Sequence, residues 1–138
     1  MSGILLDTSA YSAFFRGHRG AFDRLQRASS IALSVVTLGE LHAGFRRGSQ
    51  LARNLEELEA FLSSPRVRLL ATDDETAHCY GVLFDSLRRA GKPIPVNDVW
   101  IASAAYQHAL EVLTLDAHFL ALPQLRVELL GPEEAQTR

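Results

Sequence analysis

The chain has 138 residues, a hydrophobic fraction of 47% and a net charge of −2 with a pI near 6.2, which suits one globular domain and excludes a disordered chain. That balance excludes a globally basic nucleic-acid binder, so any such contact must rest on a local patch. Cys79 stands alone, which excludes a disulfide framework and a cysteine-based zinc site.

The first element expected is a short buried strand at residues 4–6, reading Ile4-Leu5-Leu6 and closed by Asp7. So early an acid, with no basic segment before it, does not suit a signal peptide. Helices are expected at 9–16, carrying Tyr11, Phe14 and Phe15, and at 21–28, with Phe22, Leu25 and Ala28 at helical spacing. A second strand is expected at 31–35. Thr37 can cap the next helix, with Glu40 as its capping-box partner, and Gly48 stops that helix. Residues 51–62 form another, with Leu51, Leu55, Leu58 and Leu62 on one face.

Residues 67–70 are a third strand. Thr72 or Asp73 caps a long helix to Ala90, with Ala77, Tyr80, Leu83, Phe84 and Leu87 inward and Gly91 as its C-cap. A loop at 92–96 with two prolines leads to a helix at 98–109, whose Ile101, Ala102 and Ala105 stripe allows close approach to a sheet. A fourth strand at 112–115, a helical turn at 118–121 and a last strand at 125–129 complete the series. Strands alternating with helices predict an α/β sandwich with a central parallel sheet flanked by helices. One domain over 1–138 is expected, with 131–138 a polar frayed tail. No apolar run reaches the ~18 residues of a membrane helix, and a cytoplasmic location is the simplest expectation.

Asp7, Glu40, Asp98 and Asp116 each fall beyond a predicted strand or at a helix start. In a parallel sheet such positions converge on one edge. Gathered carboxylates repel one another unless a cation lies between them, and oxygen ligands select a hard divalent ion such as Mg²⁺ or Mn²⁺. Each acid alone has a plainer role as a turn or cap residue; the joint pattern points to a metal site.

The sequences around these acids carry more. Leu5-Leu6-Asp7-Thr8-Ser9, Ser34-Val35-Val36-Thr37-Leu38-Gly39-Glu40-Leu41-His42-Ala43-Gly44, Pro95-Val96-Asn97-Asp98-Val99-Trp100-Ile101-Ala102 and Leu113-Thr114-Leu115-Asp116-Ala117-His118-Phe119 resemble, in order, the four motifs of PIN-domain ribonucleases, particularly VapC-type toxins. The resemblance runs from Ile4 to about Leu129. It implies a PIN-like three-layer sandwich and Mg²⁺- or Mn²⁺-dependent endoribonuclease activity. It further implies that Asp7 and Asp98 are the main metal ligands, that Asp116 completes the site, and that Glu40 positions or deprotonates the attacking water. Thr8 or Ser9 would orient Asp7, and Asn97 the scissile phosphate. The partners implied are an RNA substrate, a cognate antitoxin and a second copy of the chain. Leu115 and His118 depart from the residues usual in the fourth motif.

Arg16, Arg46 and Lys92 are candidate phosphate contacts. Arg46-Arg47 and Arg88-Arg89 otherwise suit solvated faces. None of the five histidines has zinc-site spacing with an accompanying Glu, so surface or core roles are expected; His118, close to Asp116, is a possible substrate contact. The aromatic surplus of Tyr11, Phe14, Phe15 and Phe45 fits a core or a partner-binding patch. The competing function is a non-catalytic PIN-like scaffold that binds a protein or nucleic acid. A receiver domain, an Asp-x-Asp phosphatase and a dinucleotide-binding fold each lack their residues here.

Overall fold

The computed structural model describes residues 3–132; the expected frayed tail falls mostly at 133–138, outside them. Five strands form one sheet in the order β3-β2-β1-β4-β5, every pairing parallel. They are β1 (Gly3–Leu6), β2 (Ser30–Ser34), β3 (Val67–Leu70), β4 (Glu111–Thr114) and β5 (Val127–Leu129). The helices are α1 (Thr8–Phe15), α2 (Arg19–Arg27), α3 (Val35–Arg47), α4 (Leu51–Leu62), α5 (Asp74–Ala90) and α6 (Val96–Gln107), with a 3₁₀ turn at Ala117–Ala121. The strands and helices alternate as expected, and the architecture is the expected α/β sandwich.

Both faces of the sheet are covered, and the period-2 alternation of each strand divides its side chains between two cores. Leu5, Ala32 and Val112 join one cluster with Leu83, Leu87, Ile101, Ala102 and Phe119. Ile4, Leu6, Ile31, Leu33 and Leu113 join the other with Tyr11, Leu25, Leu41 and Leu58. The aromatic surplus falls in this second layer: Tyr11 is buried, and Phe14, Phe15 and Phe45 pack half-buried against it. Arg24 crosses the edge of that layer, pairing with Glu111 at 2.9 Å and Glu128 at 2.8 Å. It ties α2 to β4 and β5. Among the described residues no helix is long and apolar enough to cross a membrane.

The chain builds β1, β2 and β3 outward on one side, then returns to lay β4 on the other side of β1. The order therefore reverses between β1 and β4. Crevices open outside the carboxyl ends of strands at such a reversal. Asp7 follows β1 and Asp116 lies two residues past β4, so both stand at this crevice.

Several local expectations are corrected. Thr37 does not cap α3: Ser34 does, accepting from the Thr37 amide at 3.1 Å. The cap hydroxyl at the strand's end turns the β-branched Val35 and Val36 into the first helical turn, overriding their preference for strand. Glu40 is thereby released from the expected capping box. A capping box does occur on α5, between Asp73 and Thr76. The buried face of α5 is Thr76, Cys79, Leu83 and Leu87; Ala77 is exposed and Phe84 is 45% exposed, so the stripe is rotated from the expected one. Tyr80 lies half-buried on Trp100, ring centroids 4.2 Å apart. Helix α6 starts two residues early, at Val96. It stops at Gln107, because Ala109 adopts a left-handed φ of 55° that ends the helix.

Candidate metal and catalytic site

Asp7 ends β1 and caps α1, and it is 4% exposed. Such burial demands hydrogen bonds for a carboxylate. Its Oδ1 accepts from the Ala10 amide at 2.9 Å and from Ser9 Oγ at 2.8 Å, and its Oδ2 accepts from Thr114 Oγ1 at 2.6 Å. Thr114 Oγ1 in turn accepts from the Asp116 amide at 2.8 Å, and Ser9 Oγ accepts from the Leu115 amide at 3.0 Å. The ends of β1 and β4 are thus stitched by two hydroxyls and one carboxylate. Ser9, rather than Thr8, orients Asp7. Burial pushes the Asp7 carboxyl above its usual range; the bonds from Thr114, Ala10 and Ser9 pull against this, and the Asp98 charge adds to the rise.

Asp98 lies in the first turn of α6, where the helix dipole favours a negative charge. Asp116 caps the 3₁₀ turn and accepts from the His118 amide at 2.9 Å. That turn carries the His118 ring back between the two acids: Nδ1 lies 3.0 Å from Asp98 Oδ2 and 3.0 Å from Asp116 Oδ1. Burial raises the Asp98 carboxyl too. The His118 bond lowers it, and the Asp116 and Glu40 charges raise it again.

Glu40 reaches the same cavity from the middle of α3. Its Oε1 accepts from the Thr8 hydroxyl and its Oε2 from Asn97 Nδ2 at 3.1 Å. Asn97 therefore holds Glu40 in this structure. Two partners outside the other three acids, Thr8 and Asn97, hold this carboxylate in place.

Asp7, Thr8, Ser9, Glu40, Asn97, Asp98 and Asp116 line one cavity of about 580 Å³. All four predicted acids and the three predicted supporting residues are in it. Arg16 lines the adjoining cavity, while Arg46 and Lys92 line neither. The arginine at the acidic cavity is Arg47, one residue past the expected Arg46. One position on a helix turns a side chain by about 100°, so the choice between neighbours required the register of α3.

His118 is expected from the sequence as a substrate contact near Asp116; its place between Asp98 and Asp116 as a candidate metal ligand is what the sequence reading missed. The available signal was Asp116-Ala117-His118: an acid that caps a tight turn brings the side chain two residues on back toward it.

The donor set suits a divalent ion. Asp98, Asp116 and His118 each offer one ligand atom, all within 4.8 Å of one another. The Asp7 and Asp98 carboxylates, which burial first and neighbouring acidic charges after it push toward protonation, are what a bound cation would hold ionised. Carboxylate oxygens suit Mg²⁺ or Mn²⁺, and the imidazole nitrogen leans toward Mn²⁺.

The PIN domain family model matches residues 4–125. "Ribonuclease VapC4" of Mycobacterium tuberculosis is 34% identical over 95 residues, 69% of this chain and 73% of that protein. "Ribonuclease VapC5" of the same organism is 32% identical over 118 residues, 86% of each. Among solved structures, VapBC2 from Rickettsia felis, bound to a DNA fragment from its promoter, superposes with a TM-score of 0.82 at 26% identity, over 93% of this chain and 98% of that one. VapBC-5 from Mycobacterium tuberculosis, a member of the VapBC family of toxin–antitoxin systems, gives 0.73 at 30% identity, over 96% and 100%.

Proposed function

We take as premise that this chain belongs to the PIN-domain family and, within it, to the VapC toxins of type II toxin–antitoxin systems. From it we propose that the chain, as one PIN domain, is a metal-dependent endoribonuclease and the toxin of such a pair. The observation that carries this reading is the convergence of Asp7, Glu40, Asp98 and Asp116 on one cavity at the β1–β4 reversal.

Asp98 and Asp116, with His118 beside them, would hold Mg²⁺ or Mn²⁺, and Asp7 would complete the anchoring from the buried side. When bound, such an ion polarises the scissile phosphate and stabilises the charge of its transition state. The chain's own residues supply the rest. Thr8 and Asn97 fix Glu40 so that its carboxylate can orient a water and take its proton. The water oxygen bonds to phosphorus as one ester P–O bond breaks, and the departing oxygen takes a proton from solvent. Ser9 and Thr114 keep Asp7 from rotating during this exchange.

Cleavage of a mixed single-stranded RNA pool by the purified protein in Mn²⁺ is expected to stop in EDTA and to return when Mn²⁺ is restored in excess. Activity indifferent to both additions would remove metal from the mechanism.

The relatives solved as VapBC complexes support a partner of the antitoxin kind for this chain. Induced expression is expected to arrest growth, with co-expression of the product of an adjacent small reading frame restoring it. A chain that arrests growth equally well as Asp98→Asn would favour the scaffold reading, in which the acids do no chemistry.

A further inference from the structure

The acidic cavity does not end at Glu40. Thr8, Ser12, Glu40 and Arg47 line it and also line a second cavity of about 520 Å³ among α1, α3 and α4. The second cavity is large enough for a nucleotide. Its wall is aromatic, from Tyr11, Phe15 and Phe45, and Arg47 and Arg53 stand on it. Both arginines are exposed and have no ion pair or side-chain hydrogen bond among the described residues, unlike Arg24, Arg88 and Arg89. A second observation is independent of charge: Phe15 and Phe45 are only half-buried, so the wall presents ring surface to the cavity.

We propose that the second cavity is a nucleotide subsite, which takes an unpaired base of the substrate and the phosphate beside the scissile one. This rests on the endoribonuclease reading and extends it. Arg47 and Arg53 contact that phosphate; a guanidinium presents paired N–H donors to phosphate oxygens. The base lies on the aromatic wall, a contact every base can make through its π-face. Glu57, also on the wall, tempers the positive charge and leaves the arginines in excess near the rim.

RNA is the occupant that the lining matches. A nucleotide joins in one unit a phosphate for the arginines and an aromatic base for the wall, whereas an acidic peptide offers the charge without the ring. The RNA backbone then continues into the cavity of four carboxylates, where a bound cation would attract the next phosphodiester. The subsite also sets the substrate's form. A base stacked in a duplex cannot enter it, so the cut falls in single-stranded segments or loops.

The test is binding, read without cleavage. A fluorescein-labelled 12-nucleotide single-stranded RNA is titrated with wild-type protein, Arg53→Ala and Arg89→Ala in Ca²⁺, a hard cation that carboxylates bind, by fluorescence anisotropy at several salt concentrations, with the strand checked by gel to be intact. Arg89→Ala removes the same charge from a residue paired with Asp85 on α5. Arg53→Ala is expected to bind about tenfold more weakly, and the slope of log K against log salt to flatten by about 0.7, the value for one lost phosphate contact on a single strand. Arg89→Ala is expected to match wild type. The same strand annealed to its complement is expected to bind wild type at least roughly tenfold more weakly. Arg53→Ala with wild-type affinity and slope, or a duplex bound as tightly as the strand, would overturn the subsite. Wild type that cuts RNA in Mn²⁺ while Arg53→Ala binds normally sinks the subsite alone. Wild type that binds in the expected way and never cuts sinks the nuclease reading alone.

Discussion

Asp98→Asn is expected to fold, to lose RNA cleavage by a factor on the order of 1,000 or more, and to melt at a higher temperature than wild type when metal is absent. The loss of activity follows from removing one carboxylate from the Asp98–Asp116–His118 cluster, because a bound metal supplies several kcal/mol of transition-state stabilisation. The gain in stability follows from linkage. Burial first, and the Asp116 and Glu40 charges after it, raise the Asp98 carboxyl above its unfolded value of 3.8, against the pull of the His118 bond. A carboxyl raised in the folded state holds its proton more tightly there. Between the unfolded and folded values, folding takes up a proton. Stability therefore falls as pH rises through a window that opens at 3.8, and above the folded value the full cost remains. Asn carries no charge and escapes that cost.

The measurement is a pair of melting curves at pH 7, one in EDTA and one in Mn²⁺. In EDTA the variant should melt above wild type, because it is free of the cost that burial imposes on the Asp98 charge. In Mn²⁺ wild type should rise and the variant should not, because only the folded wild-type site binds the ion. A variant that melts below wild type in EDTA would show that Asp98 is not under electrostatic stress. One that gains as much from Mn²⁺ as wild type would remove it from the ligand set.

Thr114→Val is expected to cost both stability and activity, although Thr114 is fully buried and touches no solvent. The hydroxyl donates to Asp7 and accepts from the Asp116 amide. Valine keeps the shape and leaves both groups without that partner. Leaving a buried acceptor or donor unsatisfied costs about 1–3 kcal/mol, so chemical denaturation should give a loss of about 2 kcal/mol or more. Activity should fall roughly 10–100-fold, the usual effect of removing a group that orients a metal ligand. Thr114→Ser retains the hydroxyl and should recover most of the activity. A valine variant as active as wild type would show that Asp7 needs no brace from β4.

The acids were legible in the sequence because their positions are set by topology. A residue that follows a buried parallel strand must emerge at the carboxyl edge, so Ile4-Leu5-Leu6-Asp7 and Val112-Leu113-Thr114-Leu115-Asp116 could be placed from hydrophobic pattern alone. What the pattern could not supply was the partner of each hydroxyl. Ser9 and Thr8 are adjacent, yet one turns to Asp7 and the other to Glu40. That choice depends on the start of α1, one residue earlier than expected. Ser34 was likewise hidden inside an apolar run, and the capping role went to Thr37 by analogy with a motif. The buried face of α5 was misplaced for a related reason: Thr76 and Cys79 point inward, and a polar or small residue in a helix does not announce its burial. Arg47 and His118 belong to the same class, since a helix register and a tight turn decide what they meet.

The stitch between the two strand ends also bears on when the protein can act. Asp7 and Thr114 are 107 residues apart in sequence. Synthesis runs from the N-terminus, so Asp7 is made well before its brace Thr114 and before Asp116. At about 5–20 residues per second the stretch between them takes seconds to build, and through that time the cavity lacks a wall. Strand order thus fixes an interval during synthesis in which the first three acids exist and the completed cavity does not.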